Sequence, residues 1–104
     1  MTAGAERGRE PDSELVSIIM PTYNCGAFIG ETIASVQAQT HSHWELLVVD
    51  DCSTDDTAEV VAALAENDPR IHYVRLETNS GAAMARNRAM ELAQGRYMAF
   101  LDSD

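Results

Sequence analysis

Residues 45–56 read Glu45-Leu46-Leu47-Val48-Val49-Asp50-Asp51-Cys52-Ser53-Thr54-Asp55-Asp56, and their order decides the fold. The apolar run Leu46 to Val49 stops at once in two carboxylates. A short unbroken apolar run bounded by turn residues reads as a strand buried on both faces, as inside a parallel sheet. Ser53, with Asp56 three residues on, has the spacing of a helix N-cap and its N3 partner. The stretch is therefore a buried strand, an acid pair at its carboxyl end, and a helix start. Open α/β sheets bind ligands outside the carboxyl ends of their strands. Asp50 and Asp51 are placed there.

On the amino-terminal side, Val16 to Met20 is a second buried-strand run, stopped by Pro21 and followed by loop chemistry from Thr22 to Gly26. Ile29, Ile33 and Val36 fall at i, i+4 and i+7 and mark one face of a helix over Ala27 to Gln39. On the carboxyl-terminal side, Val60, Val61 and Leu64 give a second helix its buried face, ending near Asp68-Pro69. Ile71 to Leu76 alternates enough for a strand nearer the sheet edge. Asn79-Ser80-Gly81 opens a third helix with Ala82, Ala85, Ala89 and Leu92 on one close-packing face, and Gly95 is expected to stop it. Tyr97 to Leu101 is a fourth strand, leading into Asp102-Ser103-Asp104. The order β-α-β-α-β-α-β predicts an α/β fold, helices layered on a parallel sheet with right-handed crossovers. Residues 1–14 are small, charged and punctuated by Gly and Pro, and read as a disordered leader. Residues 15–104 form one unit without a linker.

The 104 residues allow one modest core. A formal charge of −10 argues against a nucleic-acid polymer as partner, since nothing here neutralises a phosphate backbone. One small anionic ligand remains compatible if a cation offsets the repulsion. No apolar run approaches the roughly 20 residues of a membrane span. Two cysteines set no disulfide framework, so the expected location is cytoplasmic, any contact with the inner membrane face being made through segments outside this sequence.

Three of the four expected strands end in polar groups: Pro21-Thr22-Tyr23-Asn24, Asp50-Asp51 and Asp102-Ser103-Asp104. Each group has a bland reading, because Asp and Asn favour turns and helix starts on local backbone grounds. Asp55 and Asp56 take that reading. Turn chemistry does not, however, require acids after successive buried strands, and parallel strands would bring all three groups to one edge. Asp-x-Asp suits a hard divalent cation, which commonly uses one or two protein carboxylates and finds its other ligands in water and substrate phosphate. Cys25 and Cys52 read as small, semi-buried thiols rather than a bridge or metal pair. His41 and His43 fit no zinc spacing with them. Tyr23 could stack on a base or cover a helix end, and Met84, Met90 and Met98 read as core filler.

These motifs together resemble the family 2 glycosyltransferases. Val16-Ser17-Ile18-Ile19-Met20-Pro21-Thr22-Tyr23-Asn24 looks like the family's opening strand, and residues 45–55 look like its second strand and acidic turn. Asn79-Ser80-Gly81, Ala85-Arg86-Asn87 and then Gly95 to Asp104 look like the approach to its metal-binding motif. The resemblance implies the nucleotide-binding half of a GT-A fold, a Rossmann-like three-layer α/β/α arrangement with strand order 3-2-1-4. It implies that Pro21, Thr22 and Tyr23 line a nucleoside pocket and that Asp51, with Asp50 beside it, meets the base. Asp102 would approach the ribose or the metal, and Asp104 would bind Mg2+ or Mn2+ on the diphosphate. Arg86 resembles a basic residue near the donor, although its helix could equally present it to solvent. The implied ligand is a nucleotide-diphosphate sugar and the implied reaction an inverting transfer to a hydroxyl of a glycan, a lipid or another acceptor.

Family members continue with acceptor-binding elements and a carboxylate base, so the base is expected beyond Asp104 and no catalytic residue is assigned here. On this reading the chain is a donor-binding half, truncated after Asp-x-Asp and inactive alone. The alternative is a non-catalytic nucleotide-binding or assembly module. A dinucleotide oxidoreductase would need Gly-x-Gly-x-x-Gly where the chain has Pro21-Thr22-Tyr23-Asn24. A receiver-type signalling domain would carry its acid pair after strand 1, not strand 2. With order 3-2-1-4, Tyr97 to Leu101 forms a sheet edge that invites self-association.

Overall fold

The computed structural model describes residues 14–103. Asp104 and all of the expected leader except Glu14 lie outside the described residues. The elements run β1 (Val16–Thr22), α1 (Ile29–Ala38), β2 (Trp44–Asp50), α2 (Thr57–Asn67), β3 (Ile71–Arg75), α3 (Ala82–Leu92) and β4 (Tyr97–Phe100). All strands are parallel, in the order β3-β2-β1-β4. All seven residues of β2 are buried, as its unbroken apolar run requires. No described helix is long and apolar enough to cross a membrane.

Alternation along the strands divides the core into two clusters. Ile18, Met20, Trp44, Leu46 and Val48 pack with Ile29, Ile33, Val36 and Val61 of α1 and α2. Ile19, Leu47 and Val49 face Ala85 and Ala89 of α3, with Ala93 just beyond it. The sheet is thus sandwiched, with the small alanines letting α3 lie close to it.

Four details differ from the sequence expectation. First, β1 does not stop at Pro21 but continues to Thr22, with Pro21 opposite Val49. Thr22 carbonyl accepts from Asp51 N–H, so Thr22 faces β2 and the missing N–H of Pro21 falls on the β4 side. Pairing with β4 has ended there at Ile19 opposite Phe100, so the proline removes no ladder bond.

Second, Ser53 does not cap α2. The cap position is Asp56, whose side chain makes no capping bond, and Asp55 Oδ1 instead accepts from Thr57 N–H at 3.0 Å. Third, Gly95 does not terminate α3, which ends at Ala93 in extended backbone. Gly95 is needed for close approach, since a Cβ there would lie 2.6 Å from the Leu15 carbonyl oxygen and 2.7 Å from Ser17 Oγ. Fourth, Met84, Met90 and Met98 are exposed rather than core filler, and all four residues of β4 are exposed with them.

Candidate functional site

The strand order reverses beside β1: the chain passes to β2 and β3 on one side, then returns through α3 to β4 on the other. At the carboxyl end of this switch point lies a cleft of about 190 Å³ lined by Pro21, Thr22, Tyr23, Cys25, Asp51, Ala82, Ala85 and Ser103. It draws one wall from the loop after β1, its floor from the end of β2, another wall from the first turns of α3, and its rim from the acidic turn after β4.

The loop after β1 is built by its contacts with the loop after β2. Asn24 adopts a left-handed φ of 49°, and its Oδ1 accepts from Thr54 N–H at 2.8 Å and from Asp55 N–H at 3.3 Å. Its own N–H donates to Ser53 Oγ at 2.8 Å. Asp55 Oδ2 accepts from Gly26 N–H, and Thr57 Oγ1 accepts from Cys25 N–H. A Cβ at Gly26 would overlap Asp56 Oδ1, so any larger residue at the crossing requires the exposed Asp56 side chain to swing aside. The Thr57 hydroxyl, above all, holds the exposed Asp55 carboxyl below its ordinary range. Asp55 therefore works as the local structural residue the sequence reading made it.

The two acids after β2 are separated by the fold. Asp51 is buried at the cleft, where its Oδ1 accepts from Ser80 N–H at 2.6 Å and its Oδ2 from Gly81 N–H at 2.8 Å. Its carboxylate thereby clamps the amino end of α3, where Gly81 turns with φ 98°. Of the donors at the amino end of α3, Asp51 takes the N–H of the cap residue Gly81 and that of Ser80 before it. Each carboxylate oxygen keeps a second acceptor direction for a ligand.

Asp50 lies behind the cleft and does not line it. It is fully buried; Oδ1 accepts from Ser53 N–H and Oγ–H, and Oδ2 from the Tyr73 hydroxyl, with Arg75 Nη1 at 3.9 Å. Burial first, then the hydrogen bond to Asp50, pushes the Tyr73 phenol up to about 12. The sequence placed Asp50 with the ligand residues. The structure makes it the bolt of the β2 turn, because its lone pairs are engaged by protein donors.

Of the remaining candidates, Pro21, buried Thr22 and half-exposed Tyr23 share the cleft with Asp51. Arg86 is exposed on α3, next in sequence to cleft-lining Ala85, and has no ion-pair partner among the described residues. Asp102 is exposed just past β4 with no hydrogen-bond partner among the described residues. Asp104 lies outside the described residues. Among those described, no group of three or more His, Cys, Asp or Glu side chains is placed to hold a metal ion. A hard cation that uses one or two carboxylates and completes its shell from phosphate and water needs no such group, and the unpartnered Asp102 carboxylate fits that demand.

The sequence reading missed Ser103 and Cys25 as cleft residues. Ser103 is buried, with its Oγ 2.9 Å from Cys25 Sγ and its carbonyl accepting from Thr32 Oγ1 at 3.2 Å. The available signal was position, since both residues follow closely on strands whose carboxyl ends meet at the switch point, Cys25 after β1 and Ser103 after β4.

The family model "Glycosyl transferase family 2" matches residues 17–104. A Bacillus subtilis glycosyltransferase provisionally named for teichuronic acid biosynthesis, TuaG, is 58% identical over 90 residues, covering 86% of this chain and 36% of the relative. WfgD of Escherichia coli, named a UDP-Glc:alpha-D-GlcNAc-diphosphoundecaprenol beta-1,3-glucosyltransferase, is 52% identical, covering 89% of this chain and 36% of WfgD. The chain thus spans about a third of the length of these relatives. Among solved structures, S. aureus TarS in complex with UDP superposes with a TM-score of 0.79 at 39% identity, covering 86% of this chain and 27% of that one. The mannosyltransferase PcManGT of Pyrobaculum calidifontis, in complex with GDP-Man and Mn2+, superposes with a TM-score of 0.80 at 33% identity, covering 86% and 27%. These neighbours have the GT-A fold, which the family resemblance implied together with the strand order 3-2-1-4 found here. The cleft, its topology and the matched residues lead to one assignment: the chain belongs to glycosyl transferase family 2.

Proposed function

We propose that the protein carrying this chain transfers a sugar from a nucleotide-diphosphate donor to an acceptor hydroxyl, and that this chain is the donor-binding half. The transfer is read as dependent on Mg2+ or Mn2+ and as inverting, the latter on the family resemblance alone. One observation carries the reading. A cleft at the strand switch point combines Pro21, Thr22, Tyr23 and Asp51 with an acidic turn at its rim, in a fold whose neighbours hold UDP and GDP-Man.

On this reading Tyr23 and Thr22 line the nucleoside site and Asp51 accepts from the base while holding α3 closed along the cleft. Asp102 and Asp104 hold the cation, and Arg86 supplies positive charge toward the diphosphate. When bound, the cation neutralises the diphosphate and stabilises it as the leaving group. The need for it is electrostatic. Like charges about 4 Å apart repel by roughly 4 kcal/mol at the effective dielectric near a protein surface, and this chain carries a formal charge of −10. The acceptor hydroxyl must lose its proton to a base within hydrogen-bond reach, and no residue described here is given that role.

Calorimetric titration of UDP and GDP into the full-length protein, with Mn2+, Mg2+ or a chelator, tests the reading. Binding should require a cation and disappear when Asp102→Asn and Asp104→Asn are combined. Equal affinity in chelator would remove the Asp-x-Asp assignment. Persistent binding without transfer from any sugar nucleotide would favour a non-catalytic module.

A further inference from the structure

The ladder between β1 and β4 closes with Leu101 N–H on the Ile19 carbonyl at 3.0 Å. Beyond that bond, among the described residues, the acidic turn is held to the body of the protein through Ser103 alone. Asp102 is exposed and makes no hydrogen bond there, whereas Ser103 is buried. The Ser103 carbonyl is fixed by Thr32 of α1, and its hydroxyl by Cys25. The thiol has one proton, and it lies 3.1 Å from the Tyr23 carbonyl, which can only accept. The proton therefore goes to Tyr23, and the sulfur accepts from the Ser103 hydroxyl. A directed chain results, Ser103 O–H to Cys25 S–H to Tyr23 C=O, joining the rim of the cleft to its nucleoside wall.

We infer that Cys25 and Ser103 are positioning residues that set the segment carrying Asp102 for cation binding. The inference rests on the metal-dependent reading above. It assigns a role to a thiol that touches neither the cation nor the phosphates. Cys25 is itself seated by its N–H on Thr57 Oγ1 at 3.0 Å, so the turn after β4 is registered to the start of α2 through one short path. Loss of this path leaves the Asp102 carboxylate present but less often in place, which weakens cation binding rather than abolishing it. One neutral hydrogen bond corresponds to about three- to tenfold.

The test is titration of Mn2+ into the full-length protein in the presence of a fixed excess of UDP, or of GDP where UDP does not bind, together with uridine or guanosine titrated without metal. Cys25→Ala and Ser103→Ala should each raise half-saturating Mn2+ about three- to tenfold, and each should weaken nucleoside binding by a smaller factor than Mn2+ binding. The double variant should be no worse than either single one, since both break the same chain. Cys25→Ser, which keeps a donor and an acceptor, should recover most of the loss. Ser103→Ala alters a turn residue and no core apolar group, so a folded variant is available for the comparison. Unchanged half-saturation in Ser103→Ala, or equal losses in nucleoside and Mn2+ binding, would overturn the inference. Wild-type binding indifferent to Mn2+ would overturn it together with the metal reading, whereas metal-dependent wild type with unaltered variants would sink this inference alone.

Discussion

Asp50 and Asp51 are adjacent carboxylates with separate work. Asp50 accepts from Ser53 and from Tyr73 on β3, whereas Asp51 accepts from Ser80 and Gly81 at the start of α3 and faces the cleft. Removing either strands buried donors, so both Asp50→Ala and Asp51→Ala should destabilise the fold by about 1–3 kcal/mol. Only Asp51→Ala should also weaken UDP or GDP binding, by the tenfold or more that a charged hydrogen bond of about 1.5–3 kcal/mol represents. Denaturant unfolding and calorimetric titration of both variants check this, and equal affinity losses would return Asp50 to the site. The acid pair was legible in the sequence because it follows an apolar run. The division of labour was not, because it depends on Tyr73 and Ser80, donors from distant segments. The same holds for Ser53, whose spacing mimicked a cap while its hydroxyl was committed to Asp50.

The elements were legible where hydrophobic period and length agree, as in the buried runs of β1 and β2 and the i, i+4, i+7 face of α1. Their ends were less so, since ends are set by tertiary contacts: Pro21 stays in β1 because β4 has already stopped, and Gly95 serves Ser17 rather than the end of α3. The junction between α2 and β3 is another such contact. Asp68, at the end of α2, receives Arg70 Nε and Nη2 at 2.9 Å each and Gln37 Nε2 of α1 at 3.0 Å, while Arg70 lies 3.8 Å over the Trp44 ring. Hydrogen bonding to Arg70, ahead of the opposing effect of burial, holds the Asp68 carboxyl well below its ordinary 3.8. A depressed folded pKa contributes stability that is complete above the unfolded value and is lost as pH falls through the folded one. Asp68→Asn should therefore lose about 1–2 kcal/mol at pH 7, the range for charged hydrogen bonds to a partly exposed arginine. The gap from wild type should narrow once pH drops below the ordinary carboxylate value. Chemical denaturation at pH 7 and again near pH 2.5–3 would show it, and a gap that stays constant would mean Asp68 stabilises by packing alone.

Across the described residues the sheet has two edge strands, β3 and β4, and β4 is the barer of the two. β2 and β1 are covered on both faces by α1, α2 and α3, while β4, the edge beside the cleft, exposes Tyr97, Met98 and Phe100 at 55%, 44% and 57%. The strand order was anticipated through the family resemblance, but the exposure of β4 was not, because Tyr97-Met98-Ala99-Phe100 carries the apolar composition of a covered strand. Two forces then compete in the 104-residue chain. Unpaired backbone groups on an apolar edge favour pairing with another copy, and burying the equivalent of even one large apolar side chain contributes about 1.5–3 kcal/mol. The formal charge of −10 opposes association, but it is spread over the surface and screened beyond about 8 Å at physiological salt. β4 itself contributes no charge within Tyr97–Phe100. The short-range gain should win at ordinary salt, so the chain should self-associate through β4, more strongly as salt rises. Replacing Met98 and Phe100 together by lysine puts charge on the α3 face of that strand and should restore a monomer without touching the cleft. Light scattering over a dilution series at low and high salt, for both forms, decides it; a wild-type chain that stays monomeric at high concentration in high salt would show that the bare edge is not adhesive.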